Sequence, residues 1–140
     1  MKRAGHSPPV SVLVVDDNGF FRGVLRDVVD AAPGLTLIGE ASSGEAAVEA
    51  VETLSPRMVV MDKRMRGIGG IEASRRILAK CSEIVIVLVS VEEPQGDVLT
   101  ASGAAAFLHK RDVSPRRLAD LWEAHRDGTT PPPGPPEARR

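Results

Sequence analysis

The sequence has little of what several common classes of protein need. Its single cysteine, Cys81, excludes an internal disulfide bond, and its three histidines are too scattered to form the ligand spacing of a zinc site. Its 18 basic residues are balanced by 19 acidic ones, so composition gives no support to nucleic-acid binding. These absences favour a cytoplasmic protein in a reducing environment, with no nucleic-acid partner through this chain alone.

Long apolar segments are also missing. The first ten residues, MKRAGHSPPV, include early basic residues but not the run of about 7 apolar residues that a secretory signal peptide requires. Nor does the sequence contain the apolar stretch of about 18 residues that a transmembrane helix needs. We therefore expect a soluble protein with no membrane partner.

The length of the chain suits one domain with extensions at both ends. Its 140 residues are 42% hydrophobic and 26% charged, which is typical of a soluble globular protein. The last 14 residues, DGTTPPPGPPEARR, contain five prolines and two glycines, a composition that does not support packed secondary structure. We predict an N-terminal extension at residues 1–9, a folded domain at residues 10–126, and a disordered tail or linker at residues 127–140.

Five short apolar runs, each followed by a longer amphipathic segment, lie in the predicted domain. The runs are rich in valine or isoleucine, which favours β-strands. The third and fourth runs show no polar alternation, as expected for parallel strands buried on both faces. The alternation predicts an α/β domain with five helices and a parallel sheet, whose strands lie at 10–15, 35–41, 58–61, 84–90 and 105–110.

Helix start signals follow these strands. Asn18, Ser43 and Ser114 stand where an N-cap residue is expected. In the first helix, apolar residues recur at helical spacing from Phe20 onward, which predicts one continuous apolar face. The fourth helix is predicted to be short, about residues 97–101, because glycine and proline flank it on both sides.

Polar residues end four of the five predicted strands. Parallel strands joined by right-handed crossovers point their carboxyl ends to one edge of the sheet, where open α/β sheets bind ligands. One such residue alone is usually only a solvated strand end, whereas five at one edge favour a functional site. The five are Asp16, Asp17, Asp62, Ser90 and Lys110.

Three carboxylates at one edge need a positive charge among them. At about 4 Å, two unit charges repel by about 4 kcal/mol at an effective dielectric constant of about 20. Lys110 can supply one positive charge, and Mg²⁺ suits the rest because it prefers oxygen ligands. A carboxylate beside Mg²⁺, a lysine and a hydroxyl can attack phosphorus to give an acyl phosphate. Asp62, alone at the end of the central strand, is the candidate nucleophile.

The motifs VLVVDD, VVMDKRMRGIGG, VLVS and GAAAFLHK together resemble the receiver domain of bacterial two-component response regulators. The resemblance covers residues 10–126 and implies a flavodoxin-like, doubly wound sheet of strand order 2-1-3-4-5. It also implies Mg²⁺-dependent phosphorylation by a sensor histidine kinase, which switches a surface that binds a downstream protein partner. The oligomeric state stays open, and a homodimer is compatible with the sequence.

The resemblance assigns the acidic residues of the predicted site. Asp62 matches the phosphoacceptor, and Asp16 and Asp17 match the acidic pair that binds Mg²⁺ together with it. The backbone carbonyl of Arg64 matches a further metal ligand. No multiple-turnover activity on an outside substrate is expected, and an aspartyl-nucleophile phosphatase is disfavoured because Arg64 stands where such enzymes need a second acid.

Three further residues match the family, and two depart from it. Ser90 matches the switch hydroxyl, Lys110 the phosphate-binding lysine, and Phe107 the switch aromatic, although an aromatic on a buried strand is usually core. Arg66 replaces a proline that is common four residues after the phosphoacceptor. Val91 replaces a small residue after the switch hydroxyl and is expected to narrow access to the phosphoacceptor.

The basic residues after Asp62 have two interpretations. The simplest is that Lys63, Arg64 and Arg66 belong to an exposed loop, since charged residues after a strand are usually solvated. The alternative is that Arg64 pairs with Glu92 across the mouth of the site and controls hydrolysis of the phosphoaspartate.

Two other functions remain open on the sequence alone. The second βα unit, GLTLIGEASSGEAA, resembles receivers that precede a helix-turn-helix output domain, so the chain is alternatively the receiver portion of a DNA-binding transcription regulator. In the other alternative, the chain is a phosphorylation-independent protein-binding receiver in which Arg66 and Val91 have impaired the chemistry.

Overall fold

The computed structural model describes residues 8–93 and 96–126. The predicted extension at residues 1–9 lies mostly outside these ranges, and the predicted tail at residues 127–140 lies entirely outside them. In the part of the chain that is described, none of the helices is both long and apolar enough to span a lipid bilayer.

Strands and helices alternate through the described residues. The strands are β1 (Val10–Val15), β2 (Leu35–Ala41), β3 (Met58–Asp62), β4 (Val85–Ser90) and β5 (Ala106–His109). The helices are α1 (Gly19–Ala31), α2 (Gly44–Leu54), α3 (Gly69–Lys80), α4 (Gly96–Ser102) and α5 (Pro115–His125), with a 3-10 turn at Lys110–Asp112. The predicted α/β alternation and the short fourth helix are both confirmed.

All strand pairs are parallel, and the sheet has the order β2-β1-β3-β4-β5. This order confirms the flavodoxin-like arrangement that the resemblance implied. The order reverses between β1 and β3, and open α/β sheets bind ligands in the crevice beside such a switch point. The loops after β1 and β3 therefore frame the candidate site.

Two hydrophobic clusters cover the two faces of the sheet. On one face Val14 of β1 belongs to the cluster that contains Leu25 of α1 and Leu118 of α5. On the other face Leu13 of β1 belongs to the cluster that contains Ile77 of α3. Every residue of β3 and β4 is buried. Burial on both faces is the physical reason for the absence of polar alternation in these two strands.

The predicted helix starts are confirmed, whereas one detail of the first helix is wrong. The side chains of Asn18, Ser43 and Ser114 each accept a backbone N–H at the start of a helix. Phe20, expected on the packed face of α1, is 82% exposed. At about 100° per residue, Phe20 lies about 140° around the helix from the buried Leu25, so it falls outside the packed stripe.

The start of α3 approaches the end of β3 closely because residue 70 is glycine. A Cβ atom at Gly70 would lie 2.4 Å from the carbonyl oxygen of Asp62 and 2.9 Å from the Cα of Lys63. The backbone N–H of Gly70 donates to the carbonyl oxygen of Lys63 at 2.8 Å. Gly70 therefore lets α3 hold the backbone that follows Asp62.

Candidate functional site

Three aspartates meet at the carboxyl edge of the sheet. Asp62 is the last residue of β3, and Asp16 and Asp17 follow β1, the strand that pairs with β3. One carboxylate oxygen from each lies within 4.8 Å of the others. The structure thus brings together the three carboxylates that the sequence placed at this edge.

Burial of the aspartates makes their negative charge costly. Asp16 is fully buried, and Asp62 is 6% exposed. Loss of hydration, followed by repulsion from Asp16, raises the pKa of Asp62 from its ordinary 3.8 to about 6, although Lys110 and the backbone N–H of Arg64 act in the opposite direction. Asp62 is therefore largely ionised at neutral pH, but the fold gains free energy from any cation that neutralises it.

Lys110 supplies positive charge to this cluster. It begins the 3-10 turn after β5, and its Nζ lies 3.2 Å from Oδ2 of Asp16 and 3.7 Å from Oδ2 of Asp62. The Nζ also lies 4.3 Å from the ring centroid of Phe21 in α1, a contact that sequence reasoning missed. The aromatic face favours the ammonium electrostatically and covers one side of it.

The oxygen atoms of the cluster fit a hard divalent cation. Oδ1 of Asp16 accepts the backbone N–H of Asn18 at 2.8 Å, whereas its buried Oδ2 accepts no hydrogen bond from the described residues. Within residues 8–93 and 96–126, the ion pair with Lys110 alone partly compensates that oxygen. A buried carboxylate oxygen in this condition suits Mg²⁺, since the described residues place two more carboxylates beside it and contribute no thiolate or imidazole to the group.

Two backbone N–H groups of the loop after β3 also reach the aspartates. The N–H of Arg64 lies 3.4 Å from Oδ1 of Asp62, and the N–H of Arg66 donates to Oδ2 of Asp17 at 3.1 Å. The Arg66 side chain adds a long ion pair of 3.9 Å to the same oxygen and is 92% exposed. A proline at position 66 would have no N–H to donate. The role of the Arg64 carbonyl as a metal ligand stays a prediction.

The two predicted switch residues lie on neighbouring strands. Ser90 ends β4 and is buried, and its Oγ accepts the backbone N–H of Glu92 at 3.0 Å. Phe107 lies on β5, is 8% exposed, and belongs to the hydrophobic cluster on the face of α3. Burial alone does not distinguish a switch aromatic from a core residue, so the switch roles of Ser90 and Phe107 stay predictions.

The basic residues after Asp62 do not simply form a solvated loop. Glu92 accepts hydrogen bonds from Lys63 Nζ at 2.6 Å and from Arg64 Nη2 and Nε at 2.7 and 3.0 Å. The predicted pair between Arg64 and Glu92 is therefore confirmed. The predicted exposure holds for the side chains of Arg64 and Arg66, which are 69% and 92% exposed, and is wrong for that of Lys63, which is 16% exposed. The hydrogen bonds to Glu92 lower its pKa, and the bond from Lys63 has the largest effect. Val91 is 67% exposed, and its effect on access to the site stays a prediction.

Comparisons with known proteins agree with this geometry. A family model described as the response regulator receiver domain matches residues 12–122. The chain is 35% identical over 112 residues to the nitrate/nitrite response regulator protein NarL of Escherichia coli, across 79% of this chain and 51% of that protein. It is 41% identical over 104 residues to the response regulator GacA of Pseudomonas protegens, across 72% and 48%. The chain thus spans about half the length of these relatives.

Solved structures show the same architecture. The response regulator domain of Thermotoga maritima CheB superposes with a TM-score of 0.74 at 30% sequence identity, across 89% of this chain and 99% of that chain. A CheX–CheY–BeF3–Mg complex from Borrelia burgdorferi gives a TM-score of 0.71 at 22% identity, across 81% of this chain and 87% of that chain. At 22% identity, the similarity to the second structure supports a shared fold and nothing further.

Proposed function

The chain belongs to the family of response regulator receiver domains, and on that premise we propose that Asp62 is the phosphoacceptor in a two-component signalling system. The observation that carries this proposal is the placement of Asp62, at the end of β3, with Asp16, Asp17 and the ammonium of Lys110 around its carboxylate. A nucleophilic carboxylate with fixed positive charge beside it is what phosphoryl transfer requires.

In the proposed reaction, a sensor histidine kinase presents a phosphohistidine at the carboxyl edge of the sheet. A carboxylate oxygen of Asp62 attacks the phosphorus, the P–N bond breaks, and the imidazole leaves with its electron pair. Lys110, 3.7 Å from Asp62, is placed to stabilise negative charge on the phosphoryl oxygens. Mg²⁺ held by Asp16, Asp17 and Asp62 would supply further positive charge at the same oxygens.

Phosphorylation would then alter the surface of the domain. The phosphoryl group adds negative charge and strong acceptor oxygens, and we assign their binding to the Ser90 hydroxyl and Lys110. Ser90 turning toward it would give up its present bond from the Glu92 N–H. The segment after β4 is therefore proposed to move and to present the surface that a downstream protein partner binds. This role is stoichiometric, in keeping with the general absence of enzymatic activity in receiver domains.

Intact mass spectrometry tests the proposal directly. The protein is incubated with acetyl phosphate or phosphoramidate and Mg²⁺ and weighed. We expect one phosphoryl adduct on the wild-type chain, none on Asp62→Asn, and one on the control Asp112→Asn, which changes an exposed aspartate near the same edge. A folded wild-type protein that gains no adduct, or an adduct that survives in Asp62→Asn, would contradict the assignment.

A phosphorylation-independent binding module is the second candidate. The observation that favours it is the bond from the Arg66 N–H to Asp17, which occupies a carboxylate oxygen that the metal would use. In that case the wild-type protein gains no adduct under any phosphodonor while Arg66→Pro does. A place for this domain within a longer, DNA-binding regulator stays a prediction.

A further inference from the structure

The Lys63 side chain lies between the predicted switch residue Phe107 and Glu92, whose backbone N–H donates to the other predicted switch residue, Ser90. The Lys63 Nζ lies 2.6 Å from Oε1 of Glu92 and 5.7 Å from the ring centroid of Phe107. We propose that Lys63 is a positioning residue that couples Glu92, and through it Ser90, to Phe107, and that it holds Phe107 buried before phosphorylation. The inference deepens the proposed function and rests on it for the meaning of the switch.

The backbone of Lys63 is fixed, so only its side chain is free to respond. Its N–H donates to the carbonyl oxygen of Val89 on β4 at 2.7 Å, and its own carbonyl accepts the N–H of Gly70 at 2.8 Å. The residue is thereby held between β4 and the start of α3. If Glu92 changes its position, the Lys63 ammonium is consequently expected to move with it while the Lys63 backbone stays in place.

The pair with Glu92 is the more protected of two pairs on that carboxylate. The Lys63 side chain is 16% exposed, whereas the Arg64 side chain is 69% exposed. Solvent screens the Arg64 pair more strongly, since exposed ion pairs contribute little. Lys63 is therefore the base whose position depends more on Glu92.

Glu92 in turn is attached to Ser90. Its backbone N–H donates to the Ser90 Oγ at 3.0 Å, and Ser90 is 1% exposed. A change of the Ser90 side-chain rotamer that moves Oγ away from the Glu92 N–H and toward a phosphoryl group on Asp62 would break this bond. The segment that carries Glu92 is then released, and the distance between its carboxylate and Lys63 is no longer fixed.

Phe107 is the other end of the connection. Its ring is buried among the residues on the α3 face of the sheet, and the Lys63 ammonium lies over the ring. Such a placement is favourable because the ring face is negative, and the aliphatic stem of the lysine covers apolar surface. When Glu92 no longer holds the ammonium, the cover over Phe107 is weakened and the ring is free to change its position.

Aromatic NMR signals of the full chain test this coupling, since the sequence has only three phenylalanines. Lys63→Met keeps a long apolar side chain but removes the ammonium, and Glu92→Gln removes the charge from the other side. We expect both variants, without phosphodonor, to shift the Phe107 ring signals in the direction that phosphorylation shifts the wild type. The double variant should shift them no further than either single one. The control Arg64→Met, which removes the other base on Glu92, should leave them in place.

Two results would overturn the coupling. One is an unchanged Phe107 signal in both Lys63→Met and Glu92→Gln, and the other is an equal shift in Arg64→Met. These two results are read from unphosphorylated, folded protein, so they do not depend on whether Asp62 accepts a phosphoryl group; only the direction of the shift is compared with phosphorylated wild-type protein. If the wild-type chain gains no adduct, the proposed function fails, while the coupling is still decided by these spectra.

Discussion

The ammonium of Lys110 lies 3.2 Å from Oδ2 of Asp16, a carboxylate oxygen that is buried and has no hydrogen bond from the described residues. In this arrangement Lys110 partly neutralises the acidic cluster. The same ammonium is proposed to bind the phosphoryl group on Asp62, and it cannot fully neutralise both. Asp16 therefore needs another cation when Lys110 turns to phosphate, which gives a physical reason for coupling metal binding to phosphorylation.

The raised pKa of Asp62 predicts how stability depends on pH. Folding raises this pKa from its ordinary 3.8 to about 6, so the folded state disfavours the charged form. Well below pH 3.8 the carboxyl is protonated in both states and costs nothing; the penalty grows as the pH rises through 3.8 and is complete once the pH has risen through 6. In EDTA, Asp62→Asn should gain on the order of 1–3 kcal/mol of unfolding free energy at pH 7.5 and almost none at about pH 3.

Urea denaturation of the wild type and Asp62→Asn at several pH values measures this difference. Asp112→Asn, at an exposed position, is the control for removing a carboxylate elsewhere on the domain. A stability difference that is the same at about pH 3 and pH 7.5 would show that the effect has another origin than ionisation of Asp62.

Repulsion among the three aspartates predicts an effect of Mg²⁺ on the melting temperature. We expect Mg²⁺ to raise the melting temperature of the wild type, because it neutralises charge only in the folded state. Asp17→Asn should melt higher than the wild type in EDTA and should lose the response to Mg²⁺. The asparagine keeps a carbonyl oxygen able to accept the Arg66 N–H, so the variant removes charge with little loss of hydrogen bonding. Equal melting of both proteins in EDTA would argue against crowded carboxylates.

Arg66 provides a separate test of metal binding. Its N–H and side chain both contact Oδ2 of Asp17, and both compete with a cation for that oxygen. Arg66→Pro removes both contacts, whereas Arg66→Ala removes only the exposed side chain. Calorimetric titration with Mg²⁺ should give the tightest binding for Arg66→Pro, by about 3- to 10-fold, which corresponds to about 1 kcal/mol for one hydrogen bond. Weaker binding in Arg66→Pro would mean that the N–H instead holds Asp17 in the geometry that the metal needs.

The secondary structure was predictable from the sequence, because buried strands and helix caps produce patterns among residues that are close together in the chain. The unbroken apolar runs of β3 and β4 reflect burial on both faces, and Asn18, Ser43 and Ser114 cap the helices that they precede. Asp62 could be placed at the edge of the sheet because parallel strands end together. The order of the strands in the sheet could not be predicted in this way. Hydrophobic patterning gives the number of βα units, and only the family resemblance implied the strand order.

The contacts that sequence reasoning missed depend on strand register. Lys63 meets Glu92 because Asp62 is paired with Val89 across β3 and β4, and no pattern within either segment carries that register. Phe21 meets Lys110 for a similar reason, since α1 and the turn after β5 are distant in sequence. One feature of the sequence indicated that Lys63 makes a specific contact, namely its position directly after a fully buried strand. Basic residues at such positions are equally common in solvated loops.

Charge reversal at Glu92 tests the predicted control of phosphoaspartate hydrolysis. Lys63 and Arg64 converge on this carboxylate from the loop after Asp62, so the three side chains link the two loops beside the site. Glu92→Lys places three positive charges together and should open that side of the site to water. We expect the phosphoaspartate lifetime to shorten several-fold. Glu93→Lys, at the neighbouring exposed position that pairs with Arg111, is the control. An unchanged lifetime in Glu92→Lys would dispose of this gating role.

The close approach of α3 to the phosphoacceptor strand makes Gly70 sensitive to a single methyl group. Its Cβ would lie 2.4 Å from the Asp62 carbonyl oxygen, which is backbone and cannot move aside cheaply. Gly70→Ala should therefore cost about 1–3 kcal/mol of stability, as overpacking typically does, and should slow labelling by acetyl phosphate because the displaced atoms belong to the phosphoacceptor itself.

Gly23→Ala, within α1, is the matched control. Its Cβ would lie 3.4 Å from the flexible end of Arg26, and the better helix propensity of alanine should raise stability by up to about 1 kcal/mol. Urea denaturation and intact-mass labelling of both variants give the comparison. Equal stability and equal labelling rates in Gly70→Ala and the wild type would mean that the junction between β3 and α3 can accommodate a methyl group at residue 70, which would contradict this prediction.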